Sequence, residues 1–198
     1  MRYRYILVLL SLAISQAVPG SQVKPVLKFK TSSGHTVKVT RGTIYYDNKS
    51  LLKIEDSKIL YDSGLNRLIE DHGAVFLFVA MDGRPNLDRL NAFSITPLKA
   101  ILVADAILSA IKDFDGDGYL EFGGSDLTEA YSNPDSMYYI PTAYYEIRHG
   151  KIHPDKALTI SKDVSLNGLY LPPGKRLDKE GFCCRVVRTP GKKPGGKM

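Results

Sequence analysis

The sequence predicts a mainly β fold: antiparallel sheets joined by hairpins, sandwich-like or partial-propeller-like, with at most one or two short helices. Three observations carry this expectation. Between Val26 and Gly83 a turn residue recurs every six to ten positions, at Gly34, Gly42, Asn48, Asp56, Gly64, Gly73 and Gly83, which is the punctuation of hairpin-linked strands. The segments between these turns are rich in Val, Ile, Leu, Tyr and Phe, the side chains that suit a pleated surface. The first two segments also alternate. Leu27 and Phe29 interleave with Lys28 and Lys30, and Val37 and Val39 with Thr36, Lys38 and Thr40, so each has one inward and one wet face.

The elements follow in order. After the two alternating segments, strands are expected at 43–46, 51–54 and 58–61, and a helical turn around Leu65, Leu68 and Ile69. Ala74–Ala80 is apolar without alternation, the pattern of a strand buried on both faces. A strand is expected around Arg89–Ile95. Leu98–Ile111 suits either a buried strand or a helix. Ser136–Ile147 reads as two strands broken at Pro141. Leu158–Ile160 and Leu169–Leu171 read as short late strands, with Asn167-Gly168 as a hairpin turn, and Phe182–Val187 as the last strand.

The ends differ from the body. Arg2 and Arg4, the apolar run Ile6–Ile14 and Ser15-Gln16-Ala17 have the layout of a secretory signal, so residues 1–17 are expected to be removed and the mature protein to be secreted, periplasmic or at the cell surface. The apolar run is short for a bilayer span, and no stable membrane insertion is expected after cleavage. Residues 18–188 form one β-rich domain, and 189–198 a basic tail whose Pro, Gly and Lys composition predicts disorder. The formal charge of +6 belongs to the ends. Without Arg2 and Arg4, and without the five basic residues after position 184, residues 18–184 carry −1, which argues against a nucleic-acid partner.

The two cysteines, Cys183 and Cys184, are adjacent. Neighbouring Cα atoms across a trans peptide lie about 3.8 Å apart, whereas ordinary disulfides span roughly 4.4 Å or more. The pair is therefore a strained ring, two protected thiols, or a bridge to another chain. A structural role in a monomer is expected, since neither CxxC spacing nor a preceding basic residue argues for an activated thiol.

The chemistry concentrates at residues 113–121, Asp-Phe-Asp-Gly-Asp-Gly-Tyr-Leu-Glu. Asp113, Asp115, Asp117 and Glu121 occupy positions one, three, five and nine. Hard oxygens at that spacing can converge on a calcium ion, which takes six to eight of them at about 2.3–2.6 Å. Gly116 and Gly118 permit the sharp turns between ligands, and Tyr119 is expected to add its carbonyl. An EF-hand needs Glu at the twelfth position, where this chain has Gly124. The alternative is an acidic Gly-rich hairpin that binds nothing. The run through residue 124 resembles the calcium loop of FG-GAP and VCBS-type repeats, with Glu121 where those repeats usually carry Asp and with one copy in place of several. The resemblance implies a loop between two antiparallel strands, with Asp113, Asp115, Asp117 and Glu121 as side-chain ligands. The chain as a whole resembles short exported bacterial proteins.

Other candidates are weaker. Ser109 and Lys112 match the Ser-x-x-Lys pattern of some acyl enzymes without its partner motifs. Glu146, His149 and His153 lie close in sequence, but Gly150 and Pro154 argue against a helix that would align them on zinc. Asp82, Asn86 and Asp88 read as a plain turn. Tyrosines 45/46, 138/139 and 144/145 place one ring on each face of a strand, and the outer rings are candidates for stacking on sugars. GxSxG and HExxH are both absent. The expected function is an exported, calcium-stabilised β domain that binds a surface protein or glycan without catalysis. The alternative is a small secreted hydrolase with a structural calcium.

Overall fold

The computed structural model describes residues 25–125 and 133–191; the expected signal segment and residues 192–198 of the expected tail lie outside them. The described chain is mainly β, as expected. The strands are β1 (Val26–Lys30), β2 (Thr36–Thr40), β3 (Thr43–Tyr46), β4 (Lys49–Lys53), β5 (Arg67–Asp71), β6 (Ala74–Met81), β7 (Arg89–Ile95) and β8 (Ala100–Ile107). They continue with β9 (Leu120–Ser125), β10 (Ser136–Tyr138), β11 (Thr142–Arg148), β12 (Lys151–Pro154) and β13 (Val186–Arg188), and one helix, α1 (Lys156–Asn167). All pairings are antiparallel. They form a sheet β1-β2-β3-β4, a second β5-β6-β7-β8, a third β12-β11-β9 and a short β10-β13 pair.

The second sheet is the middle layer. Leu77, Val79, Met81, Phe93 and Ile95 face the first sheet and pack with Leu27, Val37, Val39 and Ile44. Phe76, Phe78, Leu90, Ala92, Ala104 and Ala106 face the third and pack with Phe122 and Ile147. The unbroken apolar run of β6 is explained by this double burial. Phe78 and Phe122 meet edge to face at 5.1 Å and join the second sheet to the third, a contact that contributes about 0.5–1.5 kcal/mol beyond the area it buries.

The far face of the third sheet carries α1. Asp163 is fully buried and accepts from the Tyr139 hydroxyl at 2.6 Å, from the Thr142 amide and hydroxyl at 2.8 Å each, and from Arg176 Nη2 at 3.0 Å. Asn167 accepts from the Ile140 amide at 2.6 Å and donates to the Ile140 carbonyl at 2.9 Å. Pro141 interrupts the strand here, and helix side chains satisfy backbone groups that a continuous ladder would have paired. Burial and the Asp163 carboxylate push the Tyr139 phenol up to about 12.

Five expectations are corrected. Residues 58–61 are not a strand: a 3-10 turn at Asp56–Lys58 leads to Ile59, which makes an isolated bridge to Met81 and buries its side chain in the core between the first and second sheets. The Asn66 amide takes the ladder's place, donating to Leu60 and Tyr61 carbonyls and accepting from the Ala80 amide. The helical turn expected near Leu65–Ile69 is the strand β5, with Leu68 on one side of its sheet and Ile69 on the other. Residues 158–160 are helix and 169–171 are not strand; Asn167-Gly168 ends α1 instead of turning a hairpin. Asp155 caps the helix start by accepting from the Leu158 amide at 2.9 Å, and Gly168 ends it with φ +73°, the left-handed position that suits glycine. Leu98–Ile111, open between strand and helix, contains β8.

The last expected strand is confined to 186–188. Cys183 and Cys184 are bonded to each other across a cis peptide. Cys184 is buried, while the apolar residues on either side of the pair, Phe182 (69%) and Val186, are exposed. Thr189, placed at the start of the tail, donates its amide to the Asp135 carbonyl at 3.1 Å.

Candidate metal centre

The loop between β8 and β9 starts and ends at an antiparallel bridge. Lys112 and Glu121 exchange backbone hydrogen bonds of 3.0 and 2.9 Å, and β8 and β9 beyond it belong to different sheets. Within the loop each aspartate holds the backbone that follows it. Asp113 accepts from the Gly116 amide at 2.6 Å and the Gly118 amide at 3.0 Å, Asp115 from Asp117 at 3.2 Å, and Asp117 from Tyr119 at 2.9 Å. Gly116 and Gly118 have φ +84° and +92°, and a Cβ at either would meet nothing within 4 Å. Glycine is needed there for its left-handed backbone and not for space.

These turns coil the chain so that Asp113, Asp115, Asp117 and Glu121 each offer a carboxylate oxygen within 4.8 Å of the others. The three aspartates are exposed; Glu121, on β9, is the floor of the cluster and is fully buried. Glu121 Oε2 accepts from the Phe114 amide at 2.6 Å. Its Oε1 is buried without any partner. Burial first, then the charges of Asp115, Asp117 and Asp113, push its carboxyl up to about 7, against the pull of the Phe114 N–H. Four carboxylates this close repel unless a cation or proton intervenes. The cluster can hold a metal ion.

The surroundings hold the loop in place. Phe114 packs against Tyr144 of β11 at 5.6 Å, with Lys112 over its ring at 4.8 Å. Arg148 lies over Tyr119 at 4.4 Å. The sequence reading missed Glu146 as a neighbour of this cluster. It stands opposite Glu121 in the β9–β11 ladder, and its carboxyl is raised by burial first, with Asp117 adding to the shift. Its place follows from strand pairing across a gap of 25 residues, for which no local pattern exists.

The other candidates form no metal-binding cluster among the described residues. Ser109 Oγ accepts from the Gly123 amide at 2.9 Å and donates to the Ala110 carbonyl at 3.3 Å, and Lys112 is held over Phe114, so no nucleophile–base pair forms. His149 sits on the β11–β12 turn with its ring 5.1 Å from His72 and 5.8 Å from Tyr119, while His153 pairs across the ladder with Glu146. Asp82 is forked by Arg84, which holds its carboxyl down at about 2. Asp88 accepts from the Gly83 amide at 3.1 Å and Asn86 donates its amide to the Gly83 carbonyl, the plain turn that was expected. Among the described residues no helix is long and apolar enough to cross a membrane. No protein-family model, no curated protein and no solved structure matches the chain.

Proposed function

We propose that the chain is an exported β domain whose cluster at 113–121 binds calcium, and that it acts as a binding module and not as an enzyme. The observation that carries the metal reading is the unpartnered Oε1 of Glu121. A buried carboxylate oxygen without a donor is costly, and a cation among the four carboxylates removes that cost. All donors in the cluster are carboxylate oxygens. That set suits calcium, whereas structural zinc sites are built from Cys and His and magnesium keeps several of its waters. In this reading Asp113, Asp115, Asp117 and Glu121 give side-chain oxygens and Tyr119 its carbonyl, in line with the likeness to FG-GAP and VCBS-type loops.

The ion's role is structural. It neutralises a loop that passes from the second sheet to the third, and the ligand set leaves little of the ion open to a substrate. The engagement of Ser109 and Lys112 elsewhere also supports the binding reading over the hydrolase. Thermal unfolding in EDTA, in ~5 mM calcium and in ~5 mM magnesium tests this, because extracellular calcium modules bind at about 10⁻⁴–10⁻³ M. At about five to fifty times such a Kd, a ligand of the native state alone adds about 1–2.3 kcal/mol. Midpoints that coincide in EDTA and calcium would contradict the proposal, and Asp115→Ala in calcium should behave as the parent does in EDTA.

A further inference from the structure

The near-neutral body hides a separation of charge. Residues 25–54, which make up the first sheet, hold six basic side chains (Lys28, Lys30, Lys38, Arg41, Lys49 and Lys53) against Asp47 alone, a net of +5. Residues 55–184 hold 13 basic and 20 acidic side chains, a net of −7. The sheet's geometry sorts its own charges further. Leu27, Val37, Val39 and Ile44 point into the core, so the alternate residues Lys28, Lys30, Lys38 and Lys53 share the outer face. Lys28 stands directly opposite Lys38, which stands opposite Tyr45; Lys53 stands opposite Thr43.

Nothing on this face neutralises the lysines. Among the described residues none of the four forms an ion pair. The nearby carboxylates at the rim are engaged: Asp47 with His35 and the Thr36 amide, Glu70 with the amide and hydroxyl of Ser32, Glu55 with Lys58 and Ser57. Like charges placed directly opposite on a sheet weaken it, so the arrangement of Lys28 and Lys38 is not explained by folding.

We propose that the outer face of the β1–β4 sheet docks on an anionic lipid surface. This rests on the binding-module reading but not on the metal. The chemistry favours a membrane over a polymer strand for two reasons. The charges are all lysine, compact and mobile ammoniums that suit a diffuse layer of headgroups, with none of the planar arginine forks that read single phosphates or carboxylates in pairs. The ring at the centre of the face, Tyr45, is covered by Lys38 Nζ at 4.9 Å, so the stacking platform a sugar or base would use is taken.

The test is the partition of the full chain onto vesicles of mixed phosphatidylglycerol and phosphatidylcholine and onto phosphatidylcholine alone, at low and high salt. One variant changes Lys28, Lys30, Lys38 and Lys53 to Gln; a control changes Lys99, Lys151, Lys175 and Lys179 to Gln and removes the same net charge. Each surface lysine near anionic lipid contributes about fivefold in partition, so the face variant should lose about a hundredfold or more while the control stays within a few fold of the parent, and high salt should release the parent. The face variant should melt no lower than the parent, which separates lost docking from lost folding. Equal partition onto neutral vesicles, or equal losses in both variants, overturns the proposal. So does retention on an acidic polysaccharide or single-stranded nucleic acid with no preference for the anionic vesicles.

Discussion

The Phe114 amide donates to Glu121 Oε2 at 2.6 Å, and this one hydrogen bond orients the carboxylate so that its other oxygen, Oε1, is left buried and unpaired beneath three aspartates. The loop's first turn and the strand that ends it are thereby locked to each other before any ion arrives. Glu121→Gln keeps an acceptor for Phe114, removes one of four negative charges and supplies an NH2 that can donate to the aspartates. The metal-free protein should therefore melt higher as Glu121→Gln than as the parent, yet lose its response to calcium. Differential scanning calorimetry of both forms in EDTA and in calcium checks this.

The same group sets a pH dependence. Glu121 is raised to about 7 from 4.5, so its contribution to stability is fully present below the unfolded value and is lost as pH rises through about 7. Glu146 is shifted in the same direction. In EDTA the parent should lose stability between about pH 5 and pH 7.5, and Glu121→Gln should flatten much of that slope. Calcium needs the ionised carboxylate, so binding near pH 6 should release a proton that titrations in two buffers of different ionisation enthalpy detect.

Asp163 is the anchor of α1. Asp163→Ala leaves Arg176, the Thr142 amide and hydroxyl and the Tyr139 hydroxyl without their shared acceptor. Breaking a buried ionic network by removing one partner costs about 3–5 kcal/mol, and urea unfolding should show a loss of that size. Calcium affinity should fall far less, since among the described residues no hydrogen bond links Asp163 to the 113–121 loop.

The metal cluster was legible because its chemistry is local: four ligands within nine residues, with the glycines that let them converge. β6 was legible because double burial leaves an unbroken apolar run. α1 was not, although Asp155 and Gly168 stand where a helix start and stop are signalled. Its inward hydrogen-bonding side chains are Thr159, Asp163 and Asn167, spaced by four, and of its apolar residues Leu158 is buried while Ile160, Val164 and Leu166 are exposed. The helix packs with its polar stripe inward, so the apolar periodicity that reveals most helices is absent. Neither the partners of that stripe around Pro141 nor Glu146 beside the metal loop could be read locally, because strand pairing and helix packing bring them together over 15 to 27 residues.

The charged face makes a folding prediction of its own. Lys28→Thr removes the repulsion with Lys38 and places a β-branched residue on an exposed strand position. Stability should rise by about 0.2–1 kcal/mol at low salt, with a smaller gain at high salt. Chemical unfolding at two ionic strengths measures it.

Calorimetric titration of calcium into the metal-free chain tests the central claim most directly. The account predicts a single saturable site that Glu121→Gln or Asp115→Ala abolishes while leaving the β-sheet circular dichroism intact. No binding at millimolar calcium, or binding of unchanged affinity in the Glu121→Gln protein, would contradict it.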